Sequence, residues 1–425
     1  MLLIKNGYVV LRDRMDNLDV LIDGEKIVKI ERGIEERAEY DVIDASSLVV
    51  MPGFVDMHCH LREPGQEHKE DIFSGSRAAL QGGFTSIACM PNTSPVIDNA
   101  SLVKYVVDRG IEVGNAKVYC IGAITKGQNG KELAEIASMK EAGAVAFSDD
   151  GHPVSDGNTM RLALEYASSF SALIISHCED LSLAAGGVVN EGYNATVCGL
   201  KGISRASEEV MVARDIILAE TLNARIHIAH VSTKGSVELV REAKKRGVKV
   251  TCETCPHYFS ATDDEILSYN TNAKINPPLR TESDVEAIIE GLVDGTIDAI
   301  ATDHAPHHHD EKNQEFYLAP FGTSGFETAF ALAYTNLVMQ DYMDMPALIK
   351  LMSTNPAKIL GIGGGELKVG EVADITIVDL DKQFTVDASK FVSKGKNSLF
   401  DGWKLSGAVK HVIVDGVEKE IKKND

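Results

Sequence analysis

The chain has 425 residues, enough for one large domain and a smaller one, and a formal net charge of −21. So acidic a surface weighs against broad nucleic-acid binding, which needs Lys and Arg against phosphate, and no apolar run reaches the about 20 residues of a membrane helix. Seven cysteines, an odd number without framework spacing, point to free thiols in a reducing cytoplasm.

The first stretches are strand-like. LLIKNGYVV, VLIDGEKIVKI and DVIDASSLVVMPG are short β runs broken by Asn-Gly and Asp-Gly turns. Lys5 and the turn expected at Asn6-Gly7 make the apolar start a strand rather than a leader. The texture then changes. Eight strand-like runs follow: FVDMHCH, FTSIACMPN, AKVYCIGAIT, AVAFSDDG, ALIISHCED, ARIHIAHVS, VKVTCETCPH and IDAIATDHAP. They alternate with helical stretches such as KEDIFSGSRAALQGG, EEVMVARDIILAETLN and SVELVREAKKRG, apolar at i, i+3, i+4. Eight such units predict an α/β fold, a TIM-like (β/α)8 barrel. An open doubly wound sheet is the alternative, but the Gly-rich phosphate loop that announces one is missing. Strand texture returns in GGGELKVGEVADITIVDL and GAVKHVIVDGVEKE. Residues 1–50 with 365–425 are expected to form a small β-sandwich from both chain ends, and residues 51–364 the catalytic barrel.

In such barrels the active site lies at the C-terminal strand ends. The first run ends with His58 and His60, which alternation places on one face. The fourth ends Ser148-Asp149-Asp150-Gly151, locally no more than an Asp-Gly turn. The fifth ends at His177. The sixth carries His230 at its tip and His227 deeper, three residues apart and so on opposite faces, His227 reading as packed or helix-side. The eighth ends at Asp303. Isolated buried imidazoles and carboxylates are costly. One shared metal centre accounts for His58, His60, Asp150, His177, His230 and Asp303 together, and nitrogen with carboxylate donors suits zinc ahead of manganese, cobalt or iron. Cys252 and Cys255 lack the further ligands of a structural zinc site. Cys59 faces away from the histidines. His68, His152, His308, His309 and His411 are expected outside the centre.

Several segments resemble the dihydroorotases of the amidohydrolase superfamily, in particular the bacterial, longer-chain type. Asp56-Met57-His58-Cys59-His60-Leu61-Arg62-Glu63-Pro64-Gly65 is similar to that family's first signature, and Ala301 to His307 with Lys312 to its second. Met90 to Thr93, Lys274 to Arg280, Pro320-Phe321-Gly322 and Gly325-Phe326-Glu327 extend the likeness over nearly the whole chain. The resemblance implies one or two zinc ions, two favoured: His58, His60 and Asp303 on one, His177 and His230 on the other. Many relatives bridge their metals with a carboxylated lysine; AVAFSDDG has none, and the resemblance assigns that place to Asp150. It further implies reversible hydrolysis of dihydroorotate to N-carbamoyl-L-aspartate in pyrimidine synthesis, with Asp303 as proton carrier. His60, Arg62, Asn92, Asn276, His307, Phe321 and Gly322 would bind the substrate. The rivals are hydantoinase or allantoinase chemistry and an inactive scaffold. A homodimer is expected, and association with another pyrimidine-pathway enzyme is compatible with the sequence.

Overall fold

The computed structural model describes residues 1–422. The N-terminal strands are β1 (Leu2–Val10), β2 (Met15–Asp23), β3 (Lys26–Glu31), β4 (Asp41–Asp44) and β5 (Val49–Pro52). The barrel strands are β6 (Phe54–Cys59), β7 (Phe84–Cys89), β8 (Lys117–Gly122), β9 (Ala144–Ser148) and β10 (Ile174–Ser176). A side pair, β11 (Val189–Asn190) and β12 (Gly202–Ile203), precedes β13 (Ile226–Ile228), β14 (Val250–Thr254) and β15 (Ala299–Ile300). The chain closes with β16 (Ile375–Thr385), β17 (Lys404–Val414) and β18 (Val417–Lys419).

All eight expected barrel runs contain a strand, and they pair in parallel in the order β15-β14-β13-β10-β9-β8-β7-β6. The seam between first and last is joined at Cys59 and His304, where the His60 N–H donates to the His304 carbonyl at 2.9 Å. The arrangement is a TIM-like barrel. Its helices are capped as their sequences dictate. The Asp71 carboxylate accepts the Ser74 N–H at the start of Ile72–Gln81, and the Thr233 hydroxyl accepts the Ser236 N–H at the start of Lys234–Lys245. Helix Ala206–Leu222 ends on Asn223 in the left-handed region. Phe54, Phe84, Phe147, Ile174, Ile226 and Val250 fill one core with helix residues such as Leu80, Val106, Val212 and Val240. These caps and contacts hold the strand tips in register. Among the described residues, no helix is long and apolar enough to cross a membrane.

The two chain ends share a second sheet, ordered β18-β17-β16-β5-β1-β2-β3 with β4 on β1. It curls: the start of β3 meets the segment before β16 through Lys26 and Val372, enclosing Ile4, Val20, Ile22, Ile27, Val50, Ile375 and Ile413. The Asp23-Gly24 turn forms as expected, with Asp23 paired to Lys26. Asn6-Gly7 does not turn the chain. It is an irregularity inside β1, between Ile4 and Gly7, and Asn6 adopts φ 61°. A side chain at Gly7 would meet Val50, with its Cβ 2.5 Å from the Val50 Cγ2, so packing selects the glycine.

One C-terminal stretch leaves this sheet. Between β16 and β17, Val386, Ala388, Phe391, Leu399 and Phe400 share a core with Ile275, Leu279 and Phe316 from the loops at the barrel mouth.

Candidate metal centre

Six side chains from five strand tips converge. The His58 Nε2 lies 3.4 Å from Asp150 Oδ1, and the His60 Nε2 lies 3.6 Å from Asp150 Oδ2 and 3.0 Å from Asp303 Oδ1. On the other side, His177 Nδ1 and His230 Nε2 stand 3.4 and 3.5 Å from Asp150 Oδ1 and 2.8 Å from each other. The donors divide into two groups able to hold an ion: His58, His60 and Asp150, and Asp150, His177 and His230. Asp150 belongs to both. Asp303 approaches the first group, with its Oδ1 3.6 Å from His58 Nε2.

The backbone is bent to make this possible. Arg62, His230 and Asp303 have φ of 62°, 35° and 45°, in the left-handed region that non-glycine residues seldom occupy. Such conformations cluster at functional sites. They also correct the expected alternation. Strand β13 stops at Ile228, so His230 turns toward the other ligands although His227 is buried in the fold as well. His227 is packed rather than helix-side, its Nε2 3.4 Å from Glu253.

Hydrogen bonding separates the two neighbouring aspartates. Asp149 accepts the N–H groups of Ile124 and Thr125 at 2.8 and 3.1 Å, and the Thr125 hydroxyl, and so ties the tip of β9 to that of β8. Asp150 is left free to face the histidines. Asn92 steadies both sides: its Oδ1 lies 2.9 Å from His60 Nδ1, and its amide N–H donates to Asp150 Oδ2 at 3.3 Å.

Glu253, at the end of β14, was not among the sequence candidates. Its Oε1 is 2.7 Å from His58 Nδ1, which leaves the opposite ring nitrogen for the centre. Both groups are wholly buried. Burial would raise the Glu253 carboxyl, but bonds from His227 and His58 outweigh it and hold it at about 2. Glu179 plays a similar part beside His177, at 3.3 Å from its Nε2, and receives the Asn276 amide at 3.2 Å. For Asp303, burial is again outweighed, by the His60 bond and the neighbouring imidazoles, and the carboxyl stays at about 2.

These residues fit a cation. The His58 Nε2 and Asp150 Oδ1 are buried with no hydrogen-bond partner among the described residues, which would be costly unless something else occupies their lone pairs. The His177 and His230 nitrogens point at each other, and imidazole with carboxylate is a zinc-type donor set. The CxxC pair differs: Cys252 and Cys255 are buried free thiols. Cys59 packs in the apolar core, its thiol donating to the Ala88 carbonyl at 3.3 Å. His68, His152, His308 and His309 are exposed and His411 is half-buried.

A cavity of about 190 Å3 opens beside the centre, lined by Arg62, Asn92, Asn276, His307, Phe321 and Gly322 together with the ligand side chains. Arg62 is 8% exposed and donates from Nε to the Pro306 carbonyl at 3.2 Å; no carboxylate pairs with it among the described residues. Burial lowers its guanidinium to about 10, so it remains charged at neutral pH. Burial, with the charges of Arg62, Lys69 and Lys312, pushes His307 well below the usual imidazole range. Gly322 lines the cavity by its shape. Its N–H already donates to the Lys274 carbonyl at 2.9 Å, and its φ of 133° admits no side chain beside Ala305.

The family described as Dihydro-orotase-like matches residues 47–236, and the Amidohydrolase family matches residues 324–418. A dihydroorotase from Acetivibrio thermocellus is 58% identical over 417 residues, covering 98% of each chain. The chain belongs to the dihydroorotase family. A further dihydroorotase, from Geobacter metallireducens, is 52% identical over 417 residues, again 98% of each chain. Among solved structures, the L-hydantoinase from Arthrobacter aurescens superimposes with a TM-score of 0.87 at 27% identity, covering 98% of this chain and 95% of that one. The D-hydantoinase from Thermus sp. gives 0.84 at 24% identity, with 98% and 95% coverage. This member of the dihydroorotase family thus shares its whole architecture with hydantoinases.

Proposed function

We propose that the chain hydrolyses the ring amide of (S)-dihydroorotate reversibly to N-carbamoyl-L-aspartate, using two zinc ions, as a step of pyrimidine synthesis. The observation that carries this reading is Arg62, a buried guanidinium without an acid partner among the described residues, facing a small cavity beside the His/Asp cluster. A buried charge calls for a counter-charge, and a substrate carboxylate supplies it through the paired N–H groups of arginine.

His58, His60 and Asp303 would hold one ion and His177 with His230 the other, with Asp150 common to both. Zinc there would supply Lewis acidity toward the amide carbonyl and lower the pKa of water. Asp303, next to His60, takes the proton of the attacking water and returns it to the departing ring nitrogen. Asn92 and Asn276, whose amides already fix Asp150 and Glu179, orient the ring. His307, held neutral, and Phe321 close the wall around it.

The test is turnover of dihydroorotate, hydantoin and allantoin by the zinc-loaded protein, with metal content measured alongside. Ring opening of dihydroorotate alone is expected. Turnover of only hydantoin or allantoin reassigns the substrate, and absence of both metal and turnover makes the chain an inactive scaffold.

A further inference from the structure

The stretch between β16 and β17 returns to the barrel mouth, and one amide there is fully used. Asn397 is 4% exposed. Its Nδ2 donates to the carbonyls of Ala305 and Gly322 at 3.0 and 3.1 Å. Its Oδ1 accepts the His307 N–H at 2.9 Å and the Ser324 hydroxyl at 3.1 Å. Its backbone carbonyl takes the Ser324 N–H at 2.8 Å and the Thr323 hydroxyl at 3.1 Å. Nearby, Gly395 lies so close to the barrel loop that an added Cβ would be 2.4 Å from the Pro306 Cβ.

The bonded groups belong to the two ends of the irregular stretch that runs from His304 to Gly325. One end carries His307, whose Nε2 is 3.4 Å from Arg62 Nη2; the other carries Gly322. Between them, His307 Nε2 meets the Phe321 carbonyl at 2.8 Å. The Lys312 ammonium grips the same turn from within, donating to Pro320 and Gly322 at 2.9 and 3.0 Å. A side-chain amide offers two donors and two acceptor sites. An apolar replacement offers none, and a carboxylate only acceptors.

We propose that Asn397 is a positioning residue of the substrate pocket: by bonding both ends of the 304–325 stretch, it sets His307, Phe321 and Gly322 against Arg62. The inference rests on the proposed assignment of that cavity to dihydroorotate. Among the described residues, Asn397 hydrogen-bonds to none of the six candidate ligands and not to Arg62, so its loss should spare the metal centre and widen the pocket.

The experiment compares wild type, N397A and the milder N397S. Metal content, KM and kcat for dihydroorotate, and hydrogen exchange across residues 304–325 are measured. With metal content retained, N397A should raise KM about tenfold or more while kcat falls less, the pattern of lost binding rather than lost chemistry. N397S should lie between it and wild type, and exchange should accelerate within 304–325. Unchanged KM and exchange in folded variants overturn the proposal. Failure of both variants to fold also overturns it, since Asn397 would then serve stability alone. If wild type does not open dihydroorotate, the substrate reading fails separately, and exchange alone decides: faster exchange confined to 304–325 supports the clamp, and equal exchange overturns it.

Discussion

Glu253 and His58 form a buried pair, with Glu253 Oε1 2.7 Å from His58 Nδ1, so that only the Nε2 of His58 is free toward Asp150. A carboxylate behind a ligand histidine fixes the ring's tautomer and raises its basicity. E253A should therefore weaken metal binding by roughly 10- to 100-fold while leaving all six candidate ligands in place. Competition with a coloured chelator measures this, and an unchanged affinity would reduce Glu253 to a packing residue.

Asp150 is common to both candidate ion groups, whereas His230 serves one. D150A should lower occupancy at both positions, and H230A should lose one ion while keeping the other. Elemental analysis after dialysis reads the number of ions per chain. A D150A protein that keeps two ions would show that the carboxylate does not bridge.

Arg62 has no acid partner among the described residues and stands in the cavity wall. R62M should lower kcat/KM for dihydroorotate by about 10- to 100-fold, the worth of a charge-assisted bond. The affinity of uncharged dihydrouracil, which lacks the carboxylate, read as competitive inhibition, should not suffer. An equal loss on both compounds would place Arg62 in the scaffold instead.

Glu327 supplies a pH prediction away from the metal centre. It is half-buried beside a cavity of about 420 Å3 and accepts the N–H groups of Val392 and Ser393 at 2.7 and 3.1 Å. Burial pushes its carboxyl up to about 7 from an ordinary 4.5, against those bonds and the pull of Lys396 and Lys422. Below 4.5 the group is neutral in both folded and unfolded chains and costs nothing. As pH rises the unfolded chain ionises first, so stability falls until the folded group ionises near 7. Partial exposure of the side chain limits the cost to about 1–2 kcal/mol. E327Q keeps an acceptor oxygen and should flatten this decline in urea titrations between pH 4.5 and 7. A decline as steep as in wild type would exclude Glu327 as its source.

The barrel was legible because its eight strand runs alternate with helices whose caps are written locally, as at Asp71 and Thr233. The convergence of His58, His60, His177, His230 and Asp303 followed from their places at strand ends. Local sequence could not choose between Asp149 and Asp150; the resemblance pointed to Asp150, and the physical reason appears once Thr125 and Ile124 are seen to occupy Asp149. Glu253 carried a weak signal, the one charged residue in the strand VTCET, but its partner His58 is 195 residues away. Asn397 has no local mark at all, since every bond that defines it crosses to a distant loop. Asn6-Gly7 misled because the same pair that favours a hairpin also fits an irregularity within a strand.

The stretch between β16 and β17 makes the mouth of the barrel a product of the whole chain. A protein truncated after residue 364 would keep every candidate ion ligand yet lose Asn397 and the apolar cover that Phe391, Leu399 and Phe400 lay over Phe316. Transplanting this pocket onto another barrel would likewise require carrying over a piece of polypeptide encoded far downstream of all its ligands. Catalytic loops and chain terminus have therefore to evolve, or be engineered, as one unit.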